Sequence, residues 1–193
     1  MTRARPMRAD ARRNHERLLT AAVEAFARYG ERASLDDIAK RAGVGSGTLY
    51  RHFPTRQALL EAAYTDRVEA LAARADDLAR RLPPGEALRE WLYELCAGSV
   101  QVRGLKSLLG SAVTDGGGPV DSPCGTAVTG AAARLLDAAR REGTVRADLT
   151  PVELLRLAHA VTTACELGHG EPGAVRRYLT LVTQGLGPTA ARG

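Results

Sequence analysis

The chain has 193 residues, of which 45% are hydrophobic and 25% are charged, and its formal net charge is +5. This size and composition are typical of a folded protein with one or two small domains, and they exclude a chain that is disordered throughout. Apolar runs are too short for a membrane span, and no apolar stretch follows the basic N-terminus, so we expect no transmembrane helix and no signal peptide. The three scattered cysteines contain no CxxC pair, so we expect no disulfide framework and no metal or cofactor. A reduced, cytoplasmic protein is the resulting expectation.

Glycine, proline and N-cap residues divide the first part of the chain into helices. Gly30 follows the first helix, Ser34 stands three residues before Asp37 in a capping-box pattern at the head of the second, and Pro54 ends the third. The apolar spacing between these stops is helical. We therefore predict helices over residues 9–29, 35–41, 46–52 and 55–81.

The remainder of the chain is also predicted to be helical. Apolar periodicity indicates one helix around Trp91–Val100 and another through Leu105–Val113, and the glycine-rich stretch 115–119 indicates a loop. Ser-Pro and Thr-Pro pairs open two later helices, which end at Gly143 and by Gly168. A last helix is expected over 172–184, followed by a frayed tail. With no strand-like alternation anywhere, the sequence predicts an all-α protein of about nine helices.

Charge is concentrated at one end of this helical chain. Residues 1–56 hold twelve basic and six acidic side chains, whereas residues 57–193 carry a net charge of −1. We therefore predict an N-terminal module, residues 1–56, that meets a polyanion, and a second domain over residues 57–193. Charge alone leaves nucleic acid, a membrane surface and an acidic protein open. The basic arm 1–8 is predicted to be disordered, either as a free tail or as an arm that reaches a minor groove.

Residues 34–53 have the pattern of a helix, a tight turn and a second helix. Gly43 stands where the chain must reverse, since glycine adopts positive φ without strain. Ile38, Ala39, Val44, Leu49 and Phe53 are expected to share a small core. The outer face of the second helix then carries small polar residues followed by aromatic and cationic ones, a surface that can enter a major groove and bond phosphates.

This segment resembles the DNA-binding signature of the tetracycline-repressor (TetR) family of bacterial transcription regulators. The match runs from Ile38 to Leu59 almost position for position, and with Phe26 and Gly30 it covers roughly residues 12–62. The stretch 88–169 faintly resembles a C-terminal domain of an actinobacterial subgroup. The resemblance implies an N-terminal three-helix helix-turn-helix domain and a C-terminal helical domain for ligand binding and dimerisation.

The resemblance also assigns roles to individual residues. Ser46, Gly47 and Thr48 would lie at the floor or edge of the groove, and Arg51 would reach a base or a phosphate. Ser34, Tyr50, His52 and Arg56 would contact the DNA backbone. Many members carry serine where this chain has Gly45, so the recognition helix could begin one residue later than usual. The predicted DNA-binding residues are Ser34, Gly45, Ser46, Gly47, Thr48, Tyr50, Arg51, His52 and Arg56.

The C-terminal half carries less specific predictions. The resemblance implies a homodimer on a near-palindromic operator, and we predict that the last two helices supply its interface through Leu154, Leu157, Ala158, Val161, Tyr178, Leu179 and Val182. A small or aliphatic effector is expected, because only 4% of residues are aromatic. Its predicted pocket is lined by Trp91, Cys96, Val100, Leu109, Val113, Val128, His159, Thr163 and Cys165. An ordinary core is the alternative for both sets.

Two other classes of protein compete with the regulator. Cys165 and His169 stand four residues apart and could form a nucleophile pair or part of a metal site, but glycines flank His169 and no third ligand is spaced to join them. A helical adaptor that binds another protein is the second alternative. The sequence favours a DNA-binding transcription regulator, most simply a ligand-responsive repressor without catalytic residues.

Overall fold

A computed structural model describes residues 4–114, 122–168 and 173–186. Within these ranges the chain forms α-helices and one 3-10 turn, Gly30–Arg32, and no strand, which confirms the all-α prediction. The predicted loop at 115–119 and the tail 187–193 lie outside the described residues. The helices are α1 Ala4–Tyr29, α2 Leu35–Ala42, α3 Ser46–His52, α4 Arg56–Arg81, α5 Pro84–Gln101, α6 Arg103–Thr114, α7 Pro123–Glu142, α8 Pro151–Leu167 and α9 Ala174–Gly185.

The first helix begins earlier than the sequence predicted. It starts at Ala4, so residues 4–8 of the arm that was expected to be disordered are helical. Pro6 does not prevent this, because it stands in the first turn, where a backbone N–H has no partner within the helix. Residues 1–3 lie outside the described residues.

The predicted helix starts are produced by side-chain caps. Ser34 Oγ accepts a hydrogen bond from the Asp37 N–H, and Ser122 Oγ accepts one from the Gly125 N–H. Thr150 and Glu153 form a complete capping box, in which each side chain bonds the other residue's backbone N–H. These caps satisfy amide groups that the first helical turn leaves unpaired, and they fix where α2, α7 and α8 begin.

The chain divides into two compact units. The first comprises the chain up to Thr65 together with Val102–Leu108, and the second comprises Asp66–Gln101 and the residues from Leu109 onward. The first unit is built on α1, α2 and α3, and it buries Leu18, Phe26 and Leu49 completely. Its segment Val102–Leu108 includes the first part of α6.

The second unit packs α5 against α7, α8 and α9. Trp91 lies at its centre with no exposed surface, and its Nε1–H donates to the carbonyl of Leu71 at 2.9 Å. Leu135 and Leu155, each at most 2% exposed, belong to the same core. No helix within the described ranges combines the length and apolarity that a membrane crossing requires.

Candidate nucleic-acid interface

The turn between α2 and α3 depends on one glycine. Gly43 has φ 64°, in the left-handed region, and its N–H lies against the carbonyls of Ala39 and Lys40. A Cβ at this position would also collide with the guanidinium of Arg17 on α1. The positive φ therefore requires glycine here, whereas the flexible end of the Arg17 side chain can shift to make room for a Cβ.

The start of α3 is fixed at Ser46. Gly45 has extended backbone angles, φ −72° and ψ 149°, and its carbonyl accepts from the Thr48 N–H at 2.9 Å. Gly45 is therefore the N-cap residue, although it has no side chain to bond the first turn. Of the two starts that the sequence left open, the structure has the one in which Ser46 is the first helical residue.

The predicted core beneath the helix pair is present. Ile38, Ala39, Leu49 and Phe53 are buried, and Val44 is half-buried. This packing turns the other face of α3 outward. Exposed or half-buried on it are Gly45, Ser46, Gly47, Thr48, Tyr50, Arg51 and His52.

A hydrogen bond joins the first turns of α2 and α3. Ser46 Oγ donates to Asp36 Oδ1 at 2.7 Å, and both side chains are exposed. Ser46 was predicted to contact DNA, whereas Asp36 was not identified from the sequence. An acidic residue in the first turn of a helix already has an explanation in the helix dipole, so this contact has no separate signal in the sequence.

His52 belongs to a cluster of rings at the other end of α3. Its ring centroid lies 5.7 Å from that of His15 on α1, and the His15 ring stacks on Phe53 at 5.0 Å. His15 was missed by the sequence analysis, because its contact with α3 depends on how α1 packs. The cluster limits the orientations open to the His52 ring.

Arg56 makes contacts within the chain. Its guanidinium donates to the carbonyls of Gly30 and Ala33, with Nη2 2.8 Å from the Gly30 oxygen, and lies over the Phe26 ring at 5.1 Å. These bonds tie the start of α4 to the segment between α1 and α2. Ser34, which follows that segment, is exposed and caps α2. Contact of either residue with a phosphate stays a prediction.

Arginine side chains on α1 are exposed as well and form ion pairs along that helix. Arg12 lies 3.6 Å from Glu16, Arg13 lies 3.8 Å from Asp10, and each of these four side chains is more than 60% exposed. Such exposed ion pairs contribute little to stability, so the arginines can exchange their partners for phosphates at small cost.

The residues predicted to line an effector pocket all lie in the second unit. Trp91, Cys96, Leu109, Val113, Val128 and Cys165 are buried, and Val100, His159 and Thr163 are half-buried. Cys96 Sγ lies 3.5 Å from the carbonyl of Ala158, and burial raises the pKa of this thiol to about 12. Burial also raises the pKa of Cys165, so neither thiol is a ready nucleophile.

The structure does not describe the geometry of the Cys165–His169 pair, which was considered as a nucleophile pair or part of a metal site. His169, the partner considered for Cys165, lies outside the described residues. Within the part of the chain that the structure describes, no three His, Cys, Asp or Glu side chains come together in a way that could hold a metal ion.

The residues predicted for a dimer interface fall into two sets. Leu154, Ala158, Val161 and Leu179 are buried within the second unit, whereas Leu157, Tyr178 and Val182 are half-buried. The same two helices expose Leu167 at 77% and Leu181 at 57%. These two leucines were not predicted from the sequence, because apolar periodicity does not separate the buried apolar face of a helix from an exposed one.

Two family profiles match the chain in succession. The profile described as "Bacterial regulatory proteins, tetR family" matches residues 18–63, and the profile described as "Transcriptional regulator SbtR-like, C-terminal domain" matches residues 83–188. The second match alone covers more than half of the chain.

Individual relatives agree with these profiles. The HTH-type transcriptional regulator SAR0097 of Staphylococcus aureus (strain MRSA252) is 38% identical over 77 residues, which are 38% of this chain and 40% of that protein. The crystal structure of the TetR transcriptional regulator SCO0520 from Streptomyces coelicolor is 37% identical, with 91% of this chain and 99% of that chain covered and a TM-score of 0.54. A γ-butyrolactone receptor described as ArpA-like is 25% identical, with 94% and 92% covered and a TM-score of 0.58.

Proposed function

The chain belongs to the TetR family of bacterial regulatory proteins, and we propose that it is a cytoplasmic repressor that binds a near-palindromic DNA operator as a homodimer and releases it when a small molecule binds. The observation that carries this proposal is the exposed face of α3. It presents small residues at its first turn and Tyr50 and Arg51 further along, over a buried core that holds the helix in place.

The chemistry of this face suits a major groove. Gly47 and the small side chains beside it let the backbone approach base edges, and Arg51 can donate to guanine or to a phosphate. Tyr50, with 47% of its surface exposed, can donate its hydroxyl to the DNA backbone. We assign base contacts to Ser46, Gly47, Thr48 and Arg51, and backbone contacts to Ser34, Tyr50, His52 and Arg56.

The proposed dimer uses the outer surface of α8 and α9. Leu167 and Leu181 are large apolar side chains that the second unit leaves exposed, and Leu157, Tyr178 and Val182 are half-buried on the same two helices. A second copy of the chain would remove this apolar surface from water. Sedimentation equilibrium is expected to give a dimer at micromolar concentration, and a monomer would contradict the proposal.

The proposed effector is small and mostly apolar. The second unit has an apolar core with a few polar groups, among them His159 and Thr163, which is the usual composition of a small-ligand site. One similar structure is described as a γ-butyrolactone receptor. A thermal-shift screen is expected to find stabilisation by short aliphatic lactones or acids. Stabilisation only by polyaromatic cations would contradict the proposal of a small, mostly apolar effector.

Titration against the DNA that flanks the gene tests the proposed function. A labelled duplex is measured at two salt concentrations with random duplex as competitor, and the bound region is footprinted. We expect binding that survives the competitor and protection of a short palindrome with half-sites about one helical turn apart. Absence of binding to any DNA at low salt would overturn the proposal.

The same titration separates the regulator from a helical adaptor. Binding through several phosphates releases counterions, so affinity should fall steeply as salt rises. An apolar contact with another protein has no such dependence. A flat salt response would therefore favour the adaptor.

A further inference from the structure

The hydrogen bond between Ser46 and Asp36 determines what the first turn of α3 can offer to DNA. A serine hydroxyl has one hydrogen and two lone pairs. Ser46 gives its hydrogen to Asp36 Oδ1 at 2.7 Å, so its oxygen retains only accepting capacity. The Asp36 carboxylate is itself acceptor-only when ionised. Both groups are exposed beside Gly47, so this corner of the reading surface presents acceptors and no side-chain donor.

A corner of this kind fits some DNA groups and opposes others. Phosphate oxygens, the N7 and O6 atoms of guanine and the O4 atom of thymine are all acceptors, so the Ser46–Asp36 pair offers them no side-chain donor. The donors that remain at this corner are the backbone N–H groups of the first turn of α3. The negative charge of Asp36 adds repulsion against any phosphate brought close. In the major groove, the groups that can donate are the exocyclic amino groups, N6 of adenine and N4 of cytosine.

We propose that Asp36, acting with Ser46, is a specificity determinant of this regulator: the pair selects a base with an exocyclic amino group at one position of each operator half-site and weakens binding to DNA that lacks it. This inference rests on the proposed function as a DNA-binding regulator. It assigns a role to an acidic residue in a unit whose net charge is otherwise suited to bind any DNA.

The alternative is that the hydrogen bond from Ser46 to Asp36 only stabilises the packing of α3 against α2. A purely structural role would affect the stability of the unit and would change its affinity for all DNA alike. A specificity determinant instead changes the ratio of operator affinity to random-duplex affinity. The ratio is therefore the quantity to measure.

The test compares the full-length wild type with four variants, Asp36→Ala, Asp36→Asn, Ser46→Ala and Asp37→Asn. Asp37 is the matched control, because it stands in the same helical turn and its substitution changes the net charge equally, but its side chain makes no bond to Ser46. Thermal melts verify that each variant folds. Asp36→Asn keeps an acceptor for the Ser46 hydroxyl while it removes the charge, so it separates the two contributions.

We expect Asp36→Ala to bind random duplex about threefold more tightly and to lower the ratio of operator to random affinity about tenfold. Asp37→Asn should leave that ratio within about twofold of the wild type. An equal change of the ratio in both variants, or no change in Asp36→Ala, would overturn the proposal.

A second arm identifies the base group. Operators are prepared in which single adenines are replaced by purine or single cytosines by 2-pyrimidinone, and each of these replacements removes one exocyclic amino group. As a control, single guanines are replaced by 7-deazaguanine, which removes the N7 acceptor instead. The wild type should lose about fivefold to tenfold in affinity when one particular amino group is removed, and Asp36→Ala and Ser46→Ala should not show this loss. A penalty that persists in both variants contradicts the proposal.

Failure of the two proposals can be told apart. If the wild type prefers no duplex over random DNA, the proposed function fails and the assignment of Asp36 falls with it. If the wild type binds its operator specifically but the ratio does not depend on Asp36, only the assignment of Asp36 fails.

Discussion

The two units of this protein differ in where their functional information lies. In the first unit it lies on the surface, in exposed residues such as Gly47, Tyr50 and Arg51, held by a small core. In the second unit the candidate residues are mostly buried, and Trp91 and Cys96 have no exposed surface. The partner of the first unit is chemically constant, because every DNA duplex presents phosphates and four base pairs. The proposed partner of the second unit is an individual small molecule, and the apolar pattern that would contain it is the same pattern that makes a core.

This difference predicts that stability and DNA binding can be changed separately. The largest expected effect is on stability. Trp91→Ala in the second unit should lower the free energy of unfolding by roughly 3–5 kcal/mol, because it removes a fully buried ring and leaves a cavity. Urea unfolding followed by circular dichroism measures this. A loss below about 1 kcal/mol would mean that the residue does not lie in a packed core and would weaken the contrast.

The opposite result is expected on the exposed face of α3. Tyr50→Ala and Arg51→Ala should each weaken operator binding by about ten- to a hundredfold, because each removes an exposed side chain that we propose contacts DNA. Their melting temperatures should stay close to that of the wild type. Arg80→Ala, which removes a 71% exposed arginine from the end of α4, is the charge-matched control for Arg51→Ala. An equal loss of affinity in Arg80→Ala would point to net charge instead of a contact.

Two glycines of the same unit sharpen the contrast further. Gly43→Ala should destabilise the protein by about 1–2 kcal/mol, since φ is 64°, a conformation in which a residue with a Cβ is strained. Gly47→Ala meets no atom within 4 Å and stands in a helix, so it should raise stability by up to about 1 kcal/mol. It should nevertheless weaken operator binding, because in the proposed interface the methyl group would lie where base edges approach. Thermal melts and duplex titration of both variants check this, and unchanged affinity in Gly47→Ala would contradict the placement of Gly47 in the groove.

The smallest effect concerns the capping box of α8 in the second unit. The Thr150 hydroxyl and N–H both donate to Glu153, at 2.7 and 2.8 Å, and these hydrogen bonds lower the pKa of the carboxyl group. A lowered pKa in the folded state means stabilisation that is present above the pKa of the unfolded chain and is lost as the pH falls through the folded value. Glu153→Gln should therefore be less stable than the wild type at neutral pH, and the difference should shrink below about pH 4. A stability difference between Glu153→Gln and the wild type that does not depend on pH would contradict this account. Operator binding by Glu153→Gln should equal that of the wild type.

The sequence was sufficient for most of the fold. Helix starts at Ser34, Ser122 and Thr150 follow from local caps, and these were correctly predicted. The start of α1 was predicted five residues late, because a proline and three arginines were interpreted as a disordered arm, although proline is compatible with a first helical turn.

Contacts between helices could not be predicted from the sequence. The bond from Ser46 to Asp36, the ring cluster of His15 with His52 and the inward use of Arg56 all depend on how α1, α2, α3 and α4 pack. In the second unit, periodicity predicted the helices but did not distinguish buried residues such as Leu154 from exposed ones such as Leu181. The motif predicted which residues face DNA because its residue types are specific. The apolar helices have no comparable signal.

The most direct test of the central claim is hydrogen–deuterium exchange of the full-length protein with and without its operator duplex, with random duplex as the reference. We predict that the operator slows exchange of the amides across residues 34–56, which include α2, the turn and α3, more than random duplex does. Protection confined to other parts of the chain, with residues 34–56 unaffected, would contradict the claim that the exposed face of α3 reads the DNA.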